Sequence, residues 1–251
     1  TRLSDYDNAF PFKDGSMNQS SGLLFARGQK NISITGFGTI DGQGGNKTFQ
    51  FGNDADGGLK RPKIIYFVEC KGIVVTDVTL RNSAYWVQHY EKCEDVTIRG
   101  LKVFSHCNYN NDGLDIDAKN ATISDCYIDV EDDAICFKSD HPEFCENITV
   151  TNCVTASNCN AIKFGTASHG GYRNIAVSNC VVRRAAEDNI RHWSKQLEHI
   201  SADVTVISGV AIEMVDGGII DGITVSNISM RDVQTPIFIR LGDRHRTYRK
   251  E

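Results

Sequence analysis

An all-β, single-domain parallel β-helix is the fold this sequence predicts, and three observations predict it. Short β-branched phrases recur along the 251 residues, no long amphipathic helical stretch interrupts them, and the cysteines keep phase with them. The phrases begin at Asn31-Ile32-Ser33-Ile34-Thr35 and Gly72-Ile73-Val74-Val75-Thr76. They continue at Asp95-Val96-Thr97-Ile98, Ala121-Thr122-Ile123-Ser124, Asn147-Ile148-Thr149-Val150, Asn174-Ile175-Ala176-Val177 and Gly222-Ile223-Thr224-Val225. Apart from two wider gaps, neighbouring phrases lie roughly 23 to 27 residues apart, an interval typical of solenoid repeats and too short for a helical crossover with its return strand.

The cysteines test that register independently. Cys126, Cys153 and Cys180 close three successive phrases, and Cys70, Cys93 and Cys145 each precede the first aliphatic residue of a phrase by the same offset. Nine cysteines cannot all pair within one chain. Ladders of buried thiols, with Cys acting as a small hydrophobe, are the expectation, and scattered disulfides the alternative.

A second strand series superposes residue for residue: Gly113-Leu114-Asp115-Ile116-Asp117, Ala134-Ile135-Cys136-Phe137-Lys138 and Ala161-Ile162-Lys163-Phe164-Gly165. Alternation sends Leu114, Ile135 and Ile162 inward with Ile116, Phe137 and Phe164, and sends Asp115, Cys136 and Lys163 outward. Ala211-Ile212-Glu213-Met214 extends the column, with Glu213 expected beneath Lys163. Immediately before these strands stand Asp112, Asp133 and Asn160, also in phase. Asp112, Asp132 and Asp133 should therefore crowd one face on neighbouring coils. Crowded carboxylates repel, so at least one should keep its proton near neutral pH. A protonated acid beside ionised carboxylates is the equipment for cleaving a glycosidic bond. An Asp beside Gly, as at Asp112-Gly113, also caps turns, so the second coil carries the inference.

Composition sets the outer limits. Residues 1–251 read as one domain without a composition break; 40% hydrophobic content and no apolar run of spanning length give no membrane segment. A formal charge of -5, with only short basic clusters around Arg183-Arg184 and from Arg244 to Arg249, argues against nucleic acid as a partner. The start, Thr1-Arg2-Leu3, has neither an initiator Met nor a signal-peptide core, so a mature form or a fragment is expected.

Several motifs in order resemble a known family. Gly36-Phe37-Gly38-Thr39-Ile40-Asp41-Gly42-Gln43-Gly44, Arg61-Pro62-Lys63-Ile64-Ile65, Asn82-Ser83-Ala84-Tyr85-Trp86, Asn110-Asn111-Asp112-Gly113 and Glu131-Asp132-Asp133 resemble glycoside hydrolase family 28, the polygalacturonases and rhamnogalacturonan hydrolases. The last two resemble that family's Asn-Thr-Asp-Gly and Asp-Asp motifs. The resemblance spans about residues 31 to 242 and implies a right-handed parallel β-helix, usually with further coils at both ends, which leaves open whether this chain is complete. It implies hydrolysis with inversion, without metal or organic cofactor, of a polysaccharide or oligosaccharide outside the cytoplasm, in a secreted or periplasmic protein. By resemblance Asp132 is the general acid, Asp112 and Asp133 activate water, and Trp86 and His89 stand near the substrate. Asn110, Asp115, Lys138 and Lys163 are further candidate substrate contacts on the same face.

Two positions depart from the family pattern. Aligning the strands puts Asn160 where polygalacturonases carry the histidine of Gly-His-Gly, while His169 falls in the following turn, either as a cleft contact or as a solvated residue. Ala211-Ile212-Glu213 occupies the Arg-x-Lys that clamps a substrate carboxylate, and an acid there would repel galacturonate. A pectic or related polysaccharide hydrolase other than a simple polygalacturonase is the leading expectation. A β-helical lyase or epimerase, with Ca²⁺ held by Asp112, Asp115, Asp117 and Asp133, and a non-catalytic carbohydrate-binding β-helix remain as alternatives. The segment from Arg183 to His199, with Arg191, His192, Trp193 and Lys195, is expected as an excursion that walls the cleft.

Overall fold

The computed structural model describes residues 21–49, 61–186 and 206–245. The chain winds through β1 (Gly22–Arg27), β2 (Lys30–Thr35) and β3 (Thr39–Asp41), then β4 (Lys63–Val68), β5 (Lys71–Thr76) and β6 (Thr79–Arg81). Next come β7 (Gln88–Arg99) with β8 (Lys102–Ser105), and β9 (Leu114–Ser124) with β10 (Tyr127–Val130). After β11 (Ile135–Ser139), β12 (Cys145–Thr151) and β13 (Val154–Ser157), the winding ends with β14 (Asn160–Ser168), β15 (Gly171–Arg184), β16 (Val206–Met214), β17 (Ile219–Met230) and β18 (Val233–Leu241). Every pairing is parallel and joins one coil to the next, which makes the fold a parallel β-helix. Among the described residues no helix is long and apolar enough to cross a membrane.

Three faces run along it. One stacks Tyr66, His89, Asp115, Cys136, Lys163, Ala211 and Phe238 as successive partners. The second stacks Ile32, Ile73, Val96, Ala121, Ile148, Ile175 and Ile223, the first aliphatic of every phrase, as the repeat predicts. The third stacks Ile40, Leu80, Val103, Ile128, Thr155, Val182 and Met230. The core between them is filled by aliphatic residues, stacked Phe137 and Phe164 (4.5 Å between centroids), and thiols. All nine cysteines are free and all but Cys107 are buried, so thiol ladders replace the disulfide alternative.

The corners explain why the phrases begin as they do. Asn31, Gly72, Asp95, Asn120, Asn147, Asn174 and Gly222 all adopt positive φ, between 52° and 72°. Only Gly, Asn and Asp enter this region cheaply. The asparagines also join coil to coil: Asn174 Nδ2 donates to Asn147 Oδ1 at 2.8 Å, Asn147 Nδ2 to Asn120 Oδ1 at 3.1 Å, and Asn120 Nδ2 to Asp95 Oδ1 at 3.2 Å.

One expected register is corrected. Lys163 pairs with Ala211, and Phe164 with Ile212, so Glu213 lies two residues further along β16 than expected. A two-residue slip keeps every side chain on its face, so alternation could not choose between the two registers. Glu213 still faces the same side, and its carbonyl oxygen crowds Gly165, where an added Cβ would stand 2.3 Å away. At the end of the winding, Ile237, Ile239 and Leu241 of β18 are 65%, 65% and 81% exposed.

Candidate active site

The site forms where the turns before β9, β11 and β14 bring their polar residues together. Gly113 makes the approach possible, because a Cβ there would meet the Ala134 carbonyl oxygen at 2.7 Å and Ile128 Cγ2 at 2.5 Å. Its amide donates to the Asp133 carbonyl at 2.8 Å, which locks the two turns in step. Asp112, Asp132 and Asp133 are all buried, at 3%, 4% and 2% exposure.

Their partners differ, and so do their protonation preferences. Asp133 accepts from Lys163 Nζ at 2.9 Å and from Asn160 Nδ2 at 2.7 Å. Burial works against its charge, but Lys163 and Lys138 outweigh it and hold this carboxyl below its ordinary range. Asp132 accepts from Asn110 Nδ2 at 3.3 Å and from the Asp133 amide at 2.9 Å. Asp112 has one buried carboxylate oxygen without a hydrogen-bond partner among the described residues, and its other oxygen is 3.8 Å from Lys138. Burial, then the carboxylates of Asp115 and Asp132, push it well above the carboxylate range. The cluster thus pairs a proton-holding carboxyl with an ionised one, as crowding predicts. Burial biases Asp112, which the resemblance casts as a base, toward its protonated form.

The expected contacts sort into three groups. Asn110, Asn160 and Lys163 are joined to the carboxylates themselves. Lys138 lies 3.2 Å from Asp115 and 4.6 Å from the Trp86 ring centre. Even with that lysine beside it, burial raises Asp115 to about 6. The two lysines, candidate substrate contacts by sequence, stand here as buried counter-ions of the carboxylates, and Glu213 is 4.0 Å from Lys163. Trp86 and His89 pack edge to face at 5.1 Å, buried at 9% and 3% exposure. Burial and Lys63 keep the His89 ring neutral. Both ring nitrogens of His89 lack a hydrogen-bond partner among the described residues. His169 is placed by its backbone. It follows β14, its amide donating to the Ser139 carbonyl at 2.7 Å, at the end of β11 that lies away from Asp133. Arg191, His192, Trp193 and Lys195 lie outside the described residues.

Other residues of the site were not foreseen as site residues. Arg61 donates to the carbonyls of Ala84 (3.0 Å) and Tyr109 (2.5 Å) and to Asn110 Oδ1 (3.2 Å), and so fixes the amide that holds Asp132. Lys63 is 1% exposed with its ammonium 3.8 Å from the Tyr66 ring centre, and burial lowers it to about 8. Tyr66 and His141 both bond Glu91 (2.5 and 3.0 Å). The sequence hint was Arg61-Pro62-Lys63, noted only as a family motif. Among the described residues, the carboxylates with metal-ligand spacing are Asp132 and Asp133 with Cys159, within 4.8 Å of one another, and not the Asp112, Asp115, Asp117 and Asp133 set considered for Ca²⁺.

The profile of glycosyl hydrolases family 28 matches residues 10–243. The chain belongs to that family. A Vitis vinifera protein named "Probable polygalacturonase" is 33% identical over 137 residues, 53% of this chain and 27% of that one. A Chamaecyparis obtusa polygalacturonase is 34% identical over 125 residues, 47% of this chain and 24% of that one. These matched stretches are about a quarter of each relative's length. Among solved structures, a Thermotoga maritima exopolygalacturonase superposes with a TM-score of 0.68 at 19% identity, covering 97% of this chain and 61% of that one. A Yersinia enterocolitica family 28 exopolygalacturonase superposes at 0.71 and 17% identity, covering 94% and 48%. At those identities the superpositions establish the β-helical fold, in agreement with the strand pairing.

Proposed function

We propose that the chain hydrolyses glycosidic bonds in a pectic or related polysaccharide, with inversion at the anomeric carbon. The observation that carries this reading is the split cluster, in which Asp133 is bonded to Lys163, Asp132 is bonded to Asn110 and the Asp133 amide, and burial among these carboxylates raises Asp112. Asp132 delivers the proton to the leaving oxygen, and Asp133 activates the attacking water. Asp112, biased toward its neutral form by burial, limits the negative charge beside the acid, and Lys138 stands 3.8 Å from it. An inverting acid and base commonly stand about 6.5–9.5 Å apart, whereas an oxygen of Asp132 and one of Asp133 lie within 4.8 Å, so inversion rests here on the family resemblance and not on this spacing. The polygalacturonase names of the relatives support a pectic polymer, and a polymer that does not cross membranes favours action in a secreted or periplasmic compartment.

The finer reading is that this is not a simple polygalacturonase. Ala211 has no cation to offer a substrate carboxylate, and Glu213 presents an acid on the same face. A neutral sugar suits that end of the cleft better than galacturonate does. Product analysis on polygalacturonate, rhamnogalacturonan and related polymers tests both levels. New saturated reducing ends, absent with Asp132→Asn, support hydrolysis, and preference for a polymer carrying neutral residues supports the finer reading. Rapid cleavage of polygalacturonate alone would overturn the finer reading, and unsaturated products would overturn the first.

A further inference from the structure

We propose that Lys163 is a positioning residue of the reaction: with Asn160 it holds Asp133 as the fixed anion of the site, its ammonium committed to that carboxylate and not to the sugar. The inference deepens the hydrolase reading above and rests on it for its kinetic arm.

The geometry is that of a closed clamp. One Asp133 oxygen accepts from Lys163 Nζ at 2.9 Å. The other accepts from Asn160 Nδ2 at 2.7 Å and from the Asn160 amide at 3.3 Å. Both arms come from β14, one coil beyond Asp133, so the strand register sets the clamp without recourse to a mobile loop. The side chains of Lys163 and Asp133 are 12% and 3% exposed, so water screens the pair weakly.

The charged surroundings of Asp133 make the lysine necessary. From the turn before β9 and from β9 itself come Asp112 and Asp115; from β11 and its preceding turn come Lys138, Cys136 and Asp132; from β14 and its preceding turn come Lys163 and Cys159; and Glu213 of β16 stands behind Lys163. Lys163 and Lys138 are the two lysines that lower Asp133, while Lys63 also acts on Asp115 and Arg61 on Asp112, and the acid nearest a lysine takes the charge. Lys163 is 0.9 Å closer to its Asp133 oxygen (2.9 Å) than Lys138 is to Asp112 (3.8 Å), and Asp133 has the two Asn160 donors in addition. Glu213, 4.0 Å behind the ammonium, steadies the lysine in place.

Two measurements test the clamp. In Lys163→Met the acid limb of kcat should move up by about one pH unit, a roughly tenfold loss on that limb, with KM nearly unchanged, and Lys163→Arg should largely restore it. The second arm needs no substrate. A carboxyl held below its ordinary value contributes stability above the unfolded pKa and loses it as pH falls through the folded one. The melting-temperature loss in Lys163→Met should therefore persist from pH 7 down to the unfolded carboxyl value of about 3.9 and shrink only below it, toward about pH 3, and should lose that pH dependence in an Asp133→Asn background. A raised KM with unchanged kcat, or an equal melting loss in both backgrounds, would overturn the proposal. Absence of turnover by the unaltered chain on every polymer would sink the hydrolase reading instead, and the melting cycle would still judge the clamp.

Discussion

Replacing Asn147 by Ala and, separately, by Gly should invert the usual order of those two residues. Asn147 is exposed, adopts φ 58°, and stands mid-ladder between Asn120 and Asn174. Either change removes both ladder hydrogen bonds, worth about 0.5 kcal/mol each at an exposed position, so about 1 kcal/mol together. Ala must additionally hold the left-handed conformation, at a cost of about 1–2 kcal/mol. Gly adopts it freely and bears only its greater unfolded-state entropy, about 0.5–1 kcal/mol. The totals are about 2–3 kcal/mol for Ala and about 1.5–2 kcal/mol for Gly, whereas in an ordinary strand position Gly is the worse of the two. Gly72 and Gly222 already occupy the same corner of other coils, at φ 72° and 69°. Urea unfolding of the two variants, followed by far-ultraviolet circular dichroism, reads the order directly. If Ala proved as stable as Gly or more so, the account of the corners would be wrong.

Other perturbations probe the site and the core. Lys138→Met strips the nearest counter-ion from Asp115; a carboxyl already raised to about 6 then rises further, and stability falls as pH climbs through that value. The loss should approach roughly 3–5 kcal/mol above neutral pH and shrink near pH 5, as paired urea titrations would show. Phe164→Ala empties the stack on Phe137 in a fully buried position and should cost about 3–5 kcal/mol by the same assay. Arg61→Met releases Asn110 and, through it, Asp132; steady-state kinetics should give kcat reduced by about tenfold to a hundredfold with KM moving much less.

Much of this architecture could be read from the residues because a β-helix repeats its instructions. The first aliphatic of each phrase, from Ile32 to Ile223, fell in the register observed. So did Leu114, Ile135 and Ile162, whose alignment brought Asp112 and Asp133 together. The Asn, Asp and Gly that open the phrases were in plain view, yet their common positive φ emerges only when the corners are seen stacked. The slip at Glu213 was invisible because two residues restore the alternation. Lys138 and Lys163 were read as substrate contacts, and their pairing with Asp115 and Asp133 went unseen because the sequence does not reveal how deeply a carboxylate cluster is buried. Arg61 acts on Asn110 from 49 positions away, a distance over which spacing carries no signal.

The central claim is that Asp112, Asp132 and Asp133 perform inverting hydrolysis. Proton NMR of the first product released from the polymer that responds in the panel tests it most directly. The account predicts a saturated reducing end whose anomeric configuration is initially opposite to that of the cleaved linkage, and its disappearance in Asp132→Asn. Retained configuration, an unsaturated product, or undiminished turnover in that variant would contradict it.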